Sequence, residues 1–237
     1  MTLANAAVSM AAMNAMLAAT EIRSVIIVDD HPIVRQGLRR MLEAEPDLTV
    51  AAEADSEQAA RAAIRAHTPD IVIVDLSLER GDGIELVREM HQENAELRML
   101  VLSMHDETIY AERLLAAGAM GYIMKQAASD QLLTAVRRVL SGRNYVSDAV
   151  QRTLDMRGGE SRTVDPADPV SRLSNREVQI LNMVGRGMSS RDIATEFSLS
   201  VKTIESHRQT IKHKLGLATN NQLLQYAMKW FGGKHRP

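Results

Sequence analysis

At 237 residues the chain is too long for one small core and suits two modest domains. Its apolar content of 45% is that of a packed protein, and a net charge of −2 carries no partner signal. With no cysteine it has neither a disulfide framework nor a thiolate metal site, which fits a reducing, cytoplasmic setting.

Charge becomes informative once it is divided along the chain. Residues 22–146 carry 20 acidic against 14 basic side chains, whereas residues 171–237 carry 4 against 11. An acidic half joined to a basic half implies two tasks, with the basic half meeting a polyanion.

The opening "MTLANAAVSMAAMNAMLAAT" is rich in Ala and Met and has no Lys or Arg. It lacks the basic start of a secretory signal, and its Asn, Ser and Thr residues are unsuited to a membrane span. Residues 1–21 are read as a poorly ordered extension without a function of its own. Strand-like runs follow at 25–28, 48–54, 70–76, 98–103 and 121–124. They alternate with helix-like stretches at 32–45, 56–67, 83–92, 107–117 and 128–141. Runs 25–28 and 71–74 are apolar at every position, the pattern of strands covered on both faces. Five βα units predict an α/β domain with a parallel, doubly wound sheet.

From Tyr145 to Val170 the apolar pattern dissolves into Gly, Pro, Ser and charges, so 147–170 is read as a linker. The rest is helical. Ser174 to Glu177, "SNRE", is a capping box opening a helix to about Gly185. A short second helix is capped near Ser189, and a longer third one ends at Gly216. A fourth begins at the Thr219-x-x-Gln222 box. This all-α, four-helix domain spans 171–232, with a tail at 233–237.

The chemistry gathers at strand ends. In "VIIVDDHP" the first strand runs straight into Asp29 and Asp30, and Asp75 ends the third. In an open α/β sheet, ligands sit beyond the carboxyl ends of the strands near the switch point. Three carboxylates converging there repel one another, and a hard cation such as Mg²⁺ relieves them. Ser103 closes the fourth strand with a hydroxyl, and Lys125 follows the fifth with an ammonium. Together they describe a phosphoryl site with Asp75 as the nucleophile. Taken singly, each of these residues has a duller reading as a cap or a solvated side chain. Their order on successive strand ends is what carries the inference. His31, next to the acids, is assigned only a surface or capping role.

At these residues the chain resembles the receiver domain of two-component response regulators. The order "DD…D…S…K", the run "GAMGYIMK" and "DDHPIVRQGL" carry the resemblance across 22–146. It implies a flavodoxin-like, five-stranded fold and phosphoryl transfer to Asp75 from a histidine kinase. It also implies Mg²⁺ held by Asp29, Asp30 and Asp75 with the backbone carbonyl of Ser77. Tyr122, three residues before Lys125, would turn inward as Ser103 moves toward the phosphoryl group. One departure is Glu79, where many relatives have Pro; it bears on metal affinity and phosphate lifetime.

In the basic half the second and third helices have the length and spacing of a helix-turn-helix. Ile204, His207, Ile211 and Leu215 form the expected buried stripe of the third. Lys202, Glu205, Ser206, Gln209 and Lys212 fall on the opposite side, flanked by Thr203 and Arg208. Such a face suits the major groove of double-stranded DNA, with Lys, Arg and Thr holding phosphates. Gln209, Glu205 and Lys202 are the candidates for reading base edges. A solvated polar face is the competing reading, and the basic balance favours nucleic acid. Residues 171–232 resemble the LuxR-type DNA-binding domain through "LSNRE", "SVKTIESH" and "IKHKLG". With the receiver, the whole is similar to the NarL/FixJ group, which implies promoter binding and a homodimer. Leu223, Leu224, Ala227 and Trp230 of the fourth helix would form the dimer seam or close the domain's own core.

These readings point to a DNA-binding transcription regulator rather than an enzyme. No Gly-x-x-x-x-Gly-Lys-Ser/Thr loop occurs, which disfavours an ATPase-driven activator. An aspartyl-phosphate phosphatase would place Asp-x-Asp on the first strand, unlike the adjacent pair here. A phosphorylation-independent receiver acting only in dimerisation is the remaining alternative.

Overall fold

The computed structural model describes residues 21–78, 83–104, 107–148, 150–152, 169–197 and 199–234. The readings placed on residues 1–20, on Glu79, on 153–168 and on 235–237 lie outside the described residues. The chain divides into two compact units, with the boundary between Gly159 and Glu160.

The first unit alternates strand and helix. Its strands are β1 (Arg23–Val28), β2 (Leu48–Ala54), β3 (Ile71–Asp75), β4 (Arg98–Ser103) and β5 (Gly121–Met124). Its helices are α1 (Pro32–Glu43), α2 (Glu57–His67), α3 (Gly83–Glu93), α4 (Glu107–Ala117) and α5 (Ala128–Leu140). All strands are parallel, in the order β2-β1-β3-β4-β5. The all-apolar runs expected at the centre are there: Val25 to Val28 and Ile71 to Val74 are at most 1% exposed. Burying each such side chain contributes about 1.5–3 kcal/mol, so these two strands anchor the sheet. Strand order reverses between β1 and β3, which opens a crevice at their carboxyl ends.

Local chemistry sets the helix starts. Pro32 occupies the first turn of α1, where a missing N–H is harmless. Ser56 caps α2 by accepting the Ala59 N–H. A Cβ on Gly83 would lie 2.9 Å from both the Asp75 carbonyl oxygen and the Leu76 Cα. Only glycine lets α3 begin this close to the turn after β3.

Past α5 the chain returns to the sheet. Tyr145 makes a parallel bridge with Gly121 at the β5 edge. Its N–H donates to the Met120 carbonyl at 2.9 Å, and its carbonyl accepts the Tyr122 N–H at 2.8 Å. The Ser147 N–H donates to Glu107 Oε1 at 2.7 Å, and Val150 is buried. The stretch read as linker from residue 147 therefore begins as part of the first unit. At its other end, Val170 is buried within the short 3-10 turn Pro169–Arg172 of the second.

The second unit holds α6 (Asn175–Gly185), α7 (Ser190–Glu196), α8 (Val201–Leu215) and α9 (Asn220–Lys234). Ser174 and Glu177 form a reciprocal capping box, as do Ser189 and Asp192. The Gln222 N–H donates to Thr219 Oγ1 at 3.2 Å, and Gln222 Oε1 accepts the Thr219 N–H at 3.1 Å. Gly216 ends α8 at φ 68°, the left-handed geometry that favours glycine. Val178, Leu181, Ile193, Ile204, Ile211 and Leu223 are fully buried at the centre of this unit. Among the described residues, no helix is long and apolar enough to cross a membrane.

Candidate phosphoryl pocket and nucleic-acid interface

Because β1 and β3 pair in register, with Val28 beside Val74, Asp29 and Asp75 emerge side by side. Both are buried. Lys125, the residue after β5, reaches them across the end of β4. Its Nζ lies 2.7 Å from Asp29 Oδ2 and 2.9 Å from Asp75 Oδ2. Ser103 ends the intervening strand and is fully buried; Tyr122 on β5 is 2% exposed. The five residues singled out from four strand ends thus sit on one rim. Asp29, Asp75 and Ser103 are buried there, and Asp30 and Lys125 are half-buried.

Neighbouring groups fix Asp29 and Asp75. Asp29 Oδ1 accepts the His31 N–H at 2.8 Å, and the Asp29 carbonyl accepts Arg35 Nη1 at 2.6 Å. Asp75 Oδ1 accepts the Ser77 N–H at 3.1 Å. Burial pushes the Asp75 carboxyl above the usual carboxylate range; Lys125 and the Ser77 N–H pull down less strongly, and Asp29 adds to the rise. For Lys125, burial works against the ammonium. Asp75 and Asp29 outweigh it and hold the group above the ordinary lysine range. The pocket therefore contains a fixed cation and a poorly solvated carboxylate.

His31 is the residue that sequence reasoning missed. It stands at the N-cap of α1 but makes no side-chain cap hydrogen bond. Its ring turns to the acids instead, with Nδ1 2.6 Å from Asp30 Oδ1 and 3.3 Å from Asp29 Oδ1. Donor atoms of Asp29, Asp30, His31 and Asp75 all lie within 4.8 Å of one another. The signal available was adjacency: the residue directly after two strand-end acids has little choice of direction.

In the second unit, α8 is the second helix of the expected helix-turn-helix. Lys202, Glu205, Ser206 and Gln209 are exposed, and Thr203 is half-buried with its hydroxyl 2.8 Å from that of Ser200. Lys212 corrects the expectation, since it is only 8% exposed. It follows Ile211 and lies eight residues after Ile204, so it shares the side those two buried residues define. His207 and Leu215 are only half-buried, so the stripe is rotated toward Arg208 and Lys212. Burial also holds the His207 imidazole below its ordinary range, against Glu177. Arg208 is half-buried and donates to Ser190 Oγ at 2.8 Å; that hydroxyl in turn bonds the Glu205 carboxylate. Thr210 and His213, not singled out from sequence, are exposed. On α9, Leu223 and Ala227 are buried in the unit's own core, while Leu224 and Trp230 are half-buried.

Comparison with known proteins matches both units. Residues 25–137 match the response regulator receiver domain, and residues 171–227 match the bacterial regulatory proteins of the luxR family. The fold and pocket define a phosphorylation-regulated, DNA-binding regulator of transcription. The oxygen regulatory protein NreC of Staphylococcus haemolyticus is 36% identical over 209 residues, covering 86% of this chain and 96% of that one. NreC of Staphylococcus epidermidis is 34% identical over 210 residues, with the same coverage. The chain belongs to the two-component response regulators of the NarL/FixJ group, a receiver followed by a LuxR-type domain.

Solved structures agree. A LuxR-family response regulator from Aurantimonas sp. SI85-9A1 is 36% identical with a TM-score of 0.54, covering 59% of this chain and all of that one. RcsB from Salmonella enterica serovar Typhimurium was solved on promoter DNA with the phosphomimetic BeF3−. It is 29% identical with a TM-score of 0.52, covering 86% of this chain and 97% of that one.

Proposed function

We propose that Asp75 is the phosphoryl acceptor and that its modification raises affinity for promoter DNA. The observation that carries this reading is the double contact of Lys125 with Asp29 and Asp75. It supports the reading because a cation 2.9 Å from the Asp75 carboxylate would meet the oxygens of a group transferred to it. An Asp75 carboxylate oxygen attacks the phosphorus of a phosphohistidine on a sensor kinase. The phosphorus–nitrogen bond breaks, the histidine keeps the electron pair, and an acyl phosphate forms on Asp75. Lys125 then balances the phosphoryl charge, and the Ser103 hydroxyl donates to one of its oxygens.

Carboxylates grouped within 4.8 Å are a donor set of the kind hard divalent cations take. Asp29, Asp30 and Asp75, with the Ser77 carbonyl, would hold Mg²⁺. When bound, Mg²⁺ neutralises charge on the entering phosphoryl oxygens. The order of roles extends to Tyr122, which is already buried on β5; its repacking as Ser103 moves would shift a pre-existing equilibrium toward the dimer. Two α8 helices would then address half-sites about one helical turn apart. Lys202, Thr203, Ser206 and Gln209, together with Arg208 at the margin, form the DNA face. The protein would act in the cytoplasm as a regulator, turning over no substrate of its own.

Labelling tests the acceptor. With acetyl phosphate and Mg²⁺, intact-mass measurement should show one phosphoryl group on the wild type and none on Asp75→Asn. Label retained by the variant would assign the acceptor elsewhere.

A further inference from the structure

We infer that residues 145–147 form an output strap and that Glu107 is the positioning residue that latches it. The inference rests on Asp75 being the phosphoryl acceptor. Two switch residues of the pocket lead to this strap by separate routes. Tyr122 touches it directly, since its N–H donates to the Tyr145 carbonyl at 2.8 Å. Ser103 leads to it through α4, which begins four residues further along the chain, at Glu107.

Glu107 is only 8% exposed, an unusual place for a glutamate. Its Oε1 accepts the Ser147 N–H at 2.7 Å, a charge-assisted bond. Tyr145 is meanwhile held by Met120 and Tyr122 through the backbone bridge at β5. A phosphoryl group that draws Ser103 toward Asp75 displaces the start of α4 and with it the latch. Repacking of the already buried Tyr122 ring against Ser103 loads the same bridge. Both movements converge on three residues that lead out of the receiver.

The donor side of the latch opens at small cost. Ser147 is exposed, so its amide passes to water when Glu107 withdraws, and no buried donor is stranded. Release of the strap leaves the core strands intact, as local opening requires. The freed residues add length to the tether between the two units and lower the effective concentration of one at the other.

Amide hydrogen exchange on the full chain tests this, with and without acetyl phosphate and Mg²⁺. In the wild type, phosphorylation should speed exchange at Ser147 by about ten- to a hundredfold, the scale of one charge-assisted hydrogen bond. Glu107→Ala should show that faster exchange without phosphate, and should bind DNA as the phosphorylated wild type does. Glu107→Gln keeps an acceptor oxygen and should restore slow exchange and phosphate dependence. Unchanged Ser147 exchange in labelled wild type would overturn the strap alone. So would a Glu107→Ala chain that still needs phosphate to bind DNA. A wild type that takes no label would instead overturn the Asp75 reading, and the strap with it.

Discussion

Asp75 holds its negative charge against its surroundings. Burial raises its carboxyl further than Lys125 lowers it, so the folded state binds this proton more readily than the unfolded chain does. The sign follows from that direction. The destabilising contribution is full at neutral pH and fades as pH falls through the raised folded value toward the ordinary carboxylate range. Asp75→Asn removes it while Asp29 still pairs with Lys125 at 2.7 Å. The variant should melt roughly 2–5 °C above wild type at neutral pH, the shift about 1 kcal/mol produces in a domain of this size. That advantage should shrink in melts taken toward about pH 4. A variant that melts below wild type at neutral pH would mean the Lys125 pair outweighs burial. The same energetics suit Asp75 to the proposed role of acceptor, since a carboxylate short of solvent is a better nucleophile than a hydrated one.

Helix α8 shows which parts of an element sequence can specify. Its N-cap at Ser200 and its Gly216 stop depend on neighbours a few residues away, and both were legible. Its rotation was not. Ile204 and Ile211 were placed correctly, but whether the stripe leans toward His207 or toward Lys212 depends on what α6 and α9 present. The lean withdraws Lys212 from the open face and leaves Lys202, Ser206 and Gln209 there. Lys202→Ala should therefore weaken binding to all DNA sequences alike and reduce the slope of log affinity against log salt by about 1. Gln209→Ala should change preference at one base pair, by about 1–3 kcal/mol of discrimination, with the salt slope unchanged. Binding assays across a salt series on matched and single-substitution duplexes separate the two. A uniform loss for Gln209→Ala would make it a phosphate contact.

At the scale of the molecule, the order of strands and helices was legible because the two central strands are apolar at every residue. That pattern admits few partners besides covering helices. The five pocket residues were legible because strand ends in a parallel sheet share one rim. His31 and the strap were not. His31 required knowing that the imidazole turns from its helix toward the acids. The strap is held at Tyr145 and Ser147 by backbone groups and by Glu107, 40 residues away in sequence, which no local composition reveals. In the proposed function, chemistry at Asp75 in the receiver changes what α8 does in the DNA-binding domain. The direct measurement is DNA affinity, by fluorescence anisotropy, on duplexes the protein selects from a random pool. Acetyl phosphate with Mg²⁺ should tighten wild-type binding about tenfold or more, and leave Asp75→Asn unchanged, a coupling of the usual 1–3 kcal/mol. Equal tightening of both proteins, or none in fully labelled wild type, would contradict the account.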